Sequence, residues 1–381
     1  MSGYSLDSVT IDGFRGLKNL RLGELGRVNI LVGANNSGKT SILEALSILC
    51  KPLDPSEWVW MVRRRDFGGL DETRVQSLRW CFQQDGQLFD PDVLFSGQCL
   101  MTCDGEFPLR KLRATYDDIV GDIDSGGPEL RGKRPLLTYI EDLQPRRGAE
   151  ITHHVNSVIP LSPKSDFEEE IITTQVWEDQ PISAGRPPSR RGSLPCESLT
   201  PYSYQINKVQ VRSLSRLLPR PEYLASIRAL IQEFDDDIQD IYVASFRGAR
   251  PAIYLKHRRL GPAPLSVFGD GLRRTVLLAT RLPTLQKGGL LLIDEMEAGI
   301  HVSALQRVLS WLTKAASNFG VQVVATTHSL EAVDAIVLSN KSMIDEVVTF
   351  HLDQTEEETR AKRIYGDLLL RLRCERGLDV R

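Results

Sequence analysis

Residues 33–40, Gly33-Ala34-Asn35-Asn36-Ser37-Gly38-Lys39-Thr40, spell a complete G-x-x-x-x-G-K-[ST] loop. An apolar run, Val28 to Val32, feeds it, and a helix-like run, Ser41 to Cys50, leaves it. A chain with this order must turn sharply from a strand into a helix. Successive backbone N–H groups and the positive end of the helix then face one point, which suits the phosphates of a nucleotide. The pattern assigns Gly33, Asn35, Asn36, Ser37, Gly38 and Ser41 to the phosphate cradle. It sends Lys39 to the β- and γ-phosphates and offers the Thr40 hydroxyl to Mg²⁺. A glycine-rich turn that binds nothing would leave the Lys-Thr pair unexplained.

A second strand-like run, Leu290-Leu291-Leu292-Ile293, ends in Asp294-Glu295. In a parallel sheet both motifs emerge at the carboxyl ends of strands and can converge. Asp294 is then a candidate Mg²⁺ ligand, and Glu295 a candidate to orient or deprotonate the attacking water. The next apolar run, Val321 to Ala325, leads into Thr326-Thr327-His328-Ser329. His328 at that tip is a candidate to touch the γ-phosphate or the water. Upstream, Phe268-Gly269-Asp270-Gly271-Leu272-Arg273-Arg274 precedes a helix and forms a second candidate anion site. One chain with two phosphate-type sites suggests that each chain completes a partner's ATP site.

The rest of the pattern is βαβα. Helices are expected at 223–234, 272–282, 303–316, 330–336 and 365–373. Strands are expected at 238–246, 252–255, 290–293, 321–325 and 347–351. That order implies a parallel sheet with helices on its faces. Residues 55–84 carry apolar side chains at helical spacing, and residues 94–120 alternate as strands do. The stretches 121–135 and 178–204 read as loop-like and as mobile or extended, the second for its five prolines.

Composition sets limits. A hydrophobic fraction of 41% and a charged fraction of 25% are those of an ordinary globular chain. No run of 18 apolar residues and no secretory leader pattern occur, so no membrane partner and a cytoplasmic location are expected. The net charge of −3 offers no global pull toward nucleic acid. Local basic clusters, Arg63-Arg64-Arg65, Arg110-Lys111-Leu112-Arg113 and Arg186 with Arg190-Arg191, read first as solvated surface. The six cysteines lack zinc spacing and read as reduced thiols. His153-His154 reads as a surface pair.

The motif set resembles the ABC-type ATPases of the SMC, RecF and OLD group, and is closest to the compact OLD-like prokaryotic ATPases. The resemblance is carried by Glu-Ala-Leu after the loop, Phe-Gly-Asp-Gly-Leu-Arg-Arg, Ile-Asp-Glu-Met-Glu-Ala-Gly-Ile-His and Ala-Thr-Thr-His-Ser, over residues 5–50 and 235–381. It implies an α/β P-loop NTPase: an ABC-type ATPase head with a mainly antiparallel first lobe and a central insertion. The implied division is 1–120, 121–220 (insertion) and 221–381. It implies that Gly269, Asp270, Gly271, Leu272 and Arg273 cap ATP across a dimer. Glu297, Ala298, Gly299 and His301 would match the loop linking the two sites, and Arg15 a nucleotide-side cation. ATP and Mg²⁺ are the implied cofactors and slow ATP hydrolysis the implied activity. A homo-oligomer, at least a dimer, is the implied assembly, with a nuclease or toxin effector in trans and DNA as further partners, in anti-phage defence or DNA metabolism. The signature differs from the Leu-Ser-Gly-Gly of transporters, and no zinc hook or coiled-coil arm interrupts the chain. The tail, Gly377 to Arg381, leaves no room for the Toprim domain of nuclease members. A magnesium-sensing glutamine has three candidates, Gln83, Gln84 and Gln98. Two other functions stay open. One is a self-contained nucleic-acid enzyme, whose metal site would have to come from Asp235-Asp236-Asp237. The other is an ATP-binding scaffold with little turnover.

Overall fold

The computed structural model describes residues 4–65, 74–84, 93–121, 146–158, 167–177, 193–205, 207–246, 248–285, 288–355 and 358–380. In chain order the strands are β1 (Ser8–Asp12), β2 (Leu20–Leu22), β3 (Val28–Gly33), β4 (Ser96–Asp104), β5 (Leu109–Gly121), β6 (Arg146–Val158), β7 (Phe167–Trp177), β8 (Cys196–Leu199), β9 (Ile238–Ala244), β10 (Ala252–His257), β11 (Gly261–Pro264), β12 (Leu290–Ile293), β13 (Gln322–Thr326), β14 (Val347–Gln354) and β15 (Thr359–Tyr365). The α-helices are α1 (Lys39–Cys50), α2 (Pro55–Arg65), α3 (Arg74–Arg79), α4 (Asn207–Leu217), α5 (Pro221–Gln232), α6 (Asp270–Arg281), α7 (Val302–Phe319), α8 (Leu330–Ser339) and α9 (Gly366–Leu370).

The architecture is mixed α/β. One six-stranded sheet runs β15-β14-β3-β13-β12-β8 and is parallel except for β15. Every residue of β3, β12 and β13 is buried, as strands covered on both faces require. Their period-two alternation splits the core in two. Leu31, Leu290, Leu292 and Val324 face a cluster built with α1 and with β1, β4 and β5, while Ile30, Val32, Leu291 and Ile293 face α6, α7 and α8. A second six-stranded sheet, β2-β1-β4-β5-β6-β7, is antiparallel throughout. Helix α1 is buried along almost its whole length between the sheets. A small antiparallel sheet, β11-β10-β9, completes the fold. Buried Gln322 stitches the lobes: its Oε1 accepts from Leu6 N (3.2 Å), and its Nε2 donates to Leu6 O (2.8 Å) and Gly26 O (3.0 Å).

Several expectations need correction. Residues 196–199, within the stretch read as mobile or extended, form β8 and pair in parallel with β12. Four residues carrying Glu and Ser give no apolar run, so the sheet's hydrogen bonds decide their state. The described parts of 121–220 supply β6 and β7 to the antiparallel sheet, β8 to the parallel sheet, and α4. The helix expected from Tyr365 begins at Gly366, because Tyr365 still pairs with Val348 at the end of β15. Residues 122–135, 178–192 and the arginines 186, 190 and 191 lie outside the described residues.

His153 is not on the surface. Alternation along β6 turns it inward at 0% exposure, against Trp58, with ring centroids 5.6 Å apart. Trp58 also stacks on Phe82 at 5.3 Å and meets Phe14 edge-on at 6.2 Å. Burial holds the His153 pKa down from 6.5 to about 4. The unfolded chain therefore takes up a proton below pH 6.5 that the folded chain refuses until about pH 4. This group should remove about 2 kcal/mol of stability between pH 7 and pH 5. Urea midpoints of His153→Leu at the two pH values should show most of that slope gone. An unchanged slope would assign the acid sensitivity to other groups.

Candidate functional site

The loop after β3 is shaped by backbone. Gly33 (φ 144°) could not carry a Cβ, which would sit 2.6 Å from the Leu352 carbonyl oxygen. Gly38 (φ 87°) caps α1 in a left-handed conformation, with Leu17 packed where its Cβ would be. Asn35 and Asn36 are exposed and Ser37 is buried. Lys39 is 5% exposed, and its Nζ donates to Gly33 O (2.8 Å), Ala34 O (2.7 Å) and Ser37 Oγ (3.2 Å). Burial lowers the Lys39 pKa, opposed by the Asp294 and Glu295 carboxylates. Ser41 follows in the first turn of α1, half-buried.

The carboxyl ends of β12 and β13 close on this loop. Thr40 Oγ1 lies 3.1 Å from both Asp294 carboxylate oxygens. Thr326 Oγ1 donates to Asp294 Oδ1 (2.7 Å) and accepts from Glu295 N (2.8 Å). A hydroxyl and a carboxylate converging as hard oxygen donors fit Mg²⁺. Glu295 has φ 48°, a left-handed backbone for a residue with a side chain. Such outliers concentrate at functional sites and persist only where surroundings enforce them. Here Thr326 holds the N–H, and the Arg274 guanidinium donates to the carbonyl at 2.6 Å.

Beside Thr40, Asp294 and Glu295 opens a cavity of about 340 Å³, lined also by Glu44, Arg64, Ser198, Thr200 and Tyr202. Arg64, from one of the clusters read as solvated surface, is instead turned inward. It donates to Glu57 Oε1 (2.5 Å) and Ser47 Oγ (2.9 Å). Burial raises the Glu57 pKa, but Arg64 and Lys51 outweigh it and hold the carboxyl ionised. Arg15 pairs through Nε with Glu44 Oε2 at 2.7 Å, which places it behind the cavity wall. None of the three candidate glutamines lines this cavity. Gln83 and Gln98 line a separate cavity of about 470 Å³ with Asp12, Arg113 and Thr115. Gln84 bonds to the carbonyls of Arg79 and Phe82. The residues at the open end of β8, Thr200 and Tyr202, stand beside Asp294 and Glu295 instead.

His328 follows β13, its N–H donating to Glu297 Oε1 at 2.9 Å. Glu297 thus ties the turn after β12 to the His328 tip. Ala298 and the exposed Gly299 complete that turn. His301 caps α7: its Nδ1 accepts from Ser303 N (3.3 Å). Gly269 and Asp270 are exposed at the start of α6, and Gly271 is half-buried. Leu272 is turned into the core at 4% exposure, since helical spacing puts it on the face of Val276. It cannot join the exposed group. Arg273 pairs with Asp270 (2.9 Å) and lies over the Tyr204 ring at 4.8 Å.

Asp235 and Asp237 of the acidic run gather around His257, with one ligand-type atom from each of the three residues within 4.8 Å of the others, a spacing that could hold a metal ion. His257 Nε2 meets Asp235 Oδ2 at 3.1 Å, while its Nδ1 accepts from the Arg259 and Leu260 amides. Asp237 is paired with Arg258 (3.4 Å) and Arg259 (2.5 Å). The group braces the β10 to β11 turn.

Reasoning from sequence missed Arg64, Arg274, Thr326 and the 200–204 loop. Arg274 and Thr326 stand inside motifs already quoted, while Arg64 and the loop carry no local signal.

Residues 148–334 match the family described as "AAA domain, putative AbiEii toxin, Type IV TA system", and residues 5–85 match the family described as "AAA ATPase domain". The ATP/GTP phosphatase of Helicobacter pylori is 22% identical over 384 residues, covering 96% of both chains. The DNA replication and repair protein RecF of Pseudomonas savastanoi is 51% identical over 45 residues, 12% of each chain. A solved SMC head, bound to the C-winged helix domain of ScpA, aligns over 94% of this chain and 97% of its own, at 10% identity and a TM-score of 0.45. No described helix is long and apolar enough to cross a membrane. With its phosphate loop and its Asp294-Glu295 strand, the chain is similar to ATPase domains of the AAA type over residues 5–85 and 148–334.

Proposed function

We propose that this protein is an ATP-driven dimerising switch. Gly33 to Ser41 of one protomer cradle the triphosphate. Thr40 and Asp294 hold Mg²⁺, which would neutralise charge developing on the phosphates. Glu295 orients the attacking water and takes its proton, and His328 contacts the γ-phosphate or that water. Gly269, Asp270, Gly271 and Arg273 of the facing protomer close the site. Hydrolysis then releases the pair.

The observation that carries this reading is the division of the machinery. The phosphate loop and the carboxylates converge within one protomer, while the amino terminus of α6 is exposed with open space around Gly269. The name of the Helicobacter pylori relative, an ATP/GTP phosphatase, supports turnover. The family description that names a putative toxin of a type IV toxin–antitoxin system supports a defence setting, to which the proposal adds a cytoplasmic location and a toxin or nuclease effector in trans. The name of RecF supports DNA as a further partner.

Complementation tests the shared site. Lys39→Ala removes the phosphate ligand, and Gly269→Arg blocks the exposed face without an internal clash. Each variant alone should hydrolyse ATP at background rate. Their mixture restores one intact site per heterodimer, so phosphate release should return to about a quarter of the wild-type rate, as random pairing and one site in two dictate. A mixture that stays at background would exclude completion in trans.

A further inference from the structure

The geometry points to Arg274 as a positioning residue that holds Glu295 in its left-handed backbone and couples the Thr200–Tyr204 loop to the surface α6 presents to its partner. The inference rests on the roles proposed for Glu295 and α6, and it concerns contacts within one protomer.

Arg274 is 2% exposed, among the largest fully enclosed side chains of the protein. Its two terminal nitrogens donate to backbone carbonyls rather than to carboxylates. One terminal nitrogen donates to Asp294 O (2.8 Å) and Glu295 O (2.6 Å). The other donates to Pro201 O (2.9 Å) and Thr200 O (3.4 Å). A planar fork can bridge four carbonyls from two segments, whereas a lysine ammonium is a point charge that cannot. Burial lowers the Arg274 pKa, and Glu297, Glu295 and Asp294 oppose that shift. The cation therefore sits where the catalytic turn carries most of its negative charge.

The left-handed turn at Glu295 is strained for a residue with a side chain and must be enforced from outside. Thr326 grips the N–H and Arg274 the carbonyl, so the carboxylate direction depends on both. The neighbouring residue adds the second half of the device. Arg273 lies over Tyr204 and pairs with Asp270 in the exposed first turn. Two successive α6 residues thus grip one loop, and that loop lines the cavity beside Asp294 and Glu295. Close packing of Leu272 and Val276 makes α6 move as a unit. A shift of the loop when the cavity fills would reach Gly269 and Asp270 instead of dissipating.

The test is kinetic. In Arg274→Lys and Arg274→Gln the KM for ATP should stay within about threefold of wild type while kcat falls at least about tenfold, the mark of an interaction needed beyond ground-state binding. In Arg274→Ala, millimolar guanidinium should recover part of kcat, and ammonium should not. Variants that melt earlier but keep full kcat in their folded fraction would reduce Arg274 to a structural brace and overturn the inference. If these variants do not fold, hydrogen exchange in Gly269→Arg decides. On adding ATP and Mg²⁺, amides of 200–204, 270–274 and 294–296 should gain protection together. Protection confined to 294–296 would overturn the coupling. Failure of the dimer reading looks different: wild-type turnover per protomer would not depend on protein concentration, while the Arg274 split between KM and kcat would persist.

Discussion

Glu295→Gln is expected to lower steady-state phosphate release by about 10²–10³-fold, the usual worth of a positioned base. ATP binding should survive. The direction of this side chain is set by the backbone, through Thr326 and Arg274. Glutamine has the same shape and the same backbone partners, so the site should keep its form and lose only the proton acceptor. An ATP-bound dimer that cannot reset should then accumulate. Light scattering after size exclusion in ATP and Mg²⁺ reads this directly: Glu295→Gln should elute as a lasting dimer, and wild type should return to monomer as ATP is consumed. Turnover at the wild-type rate would move the proton acceptor elsewhere, with His328 the next group to examine. A monomer under saturating ATP would remove the switch.

Lys39→Ala should weaken ATP binding by about 10–100-fold, because hydrogen bonds to a charged group are worth roughly 1.5–3 kcal/mol. The ammonium is already directed into the loop by Gly33 O, Ala34 O and Ser37 Oγ. Burial and the nearby Asp294 and Glu295 carboxylates pull its pKa in opposite directions. Phosphate oxygens would replace these carbonyl partners as acceptors for the ammonium. Titration with a fluorescent ATP analogue measures the loss. Binding within a factor of two of wild type would mean that the triphosphate does not enter this loop. The same variant should melt close to wild type, since the carbonyls it leaves can be solvated through the exposed Ala34 side of the loop.

Much of the candidate site was legible in the sequence before the fold was known. The phosphate loop, the Asp294-Glu295 pair and the His328 tip each follow a short apolar strand, and each is a local pattern of residue types at fixed spacing. The strands β3, β12 and β13 appear within about a residue of their expected ends because they are covered on both faces and need continuous apolar runs. Elements with one polar face fared differently. β8 carries Glu197 and Ser198 and follows a proline-rich stretch, so only its pairing with β12 reveals it. His153 looks like a solvated histidine beside His154 until the alternation of β6 is set against Trp58.

By itself the sequence determined the chemistry available: a loop whose glycines and lysine suit phosphate, two adjacent carboxylates at a strand end, and a glycine-bearing helix start. These depend on residues within a few positions of one another, where backbone geometry is set locally. Only the tertiary structure decided which groups meet. Arg64 enters the cavity wall, Thr200 and Tyr202 arrive in the loop after β8, and Arg274 spans two segments that lie 74 and 20 residues away from it. Such contacts are made by packing and by buried polar groups seeking partners, and no spacing along the chain encodes them.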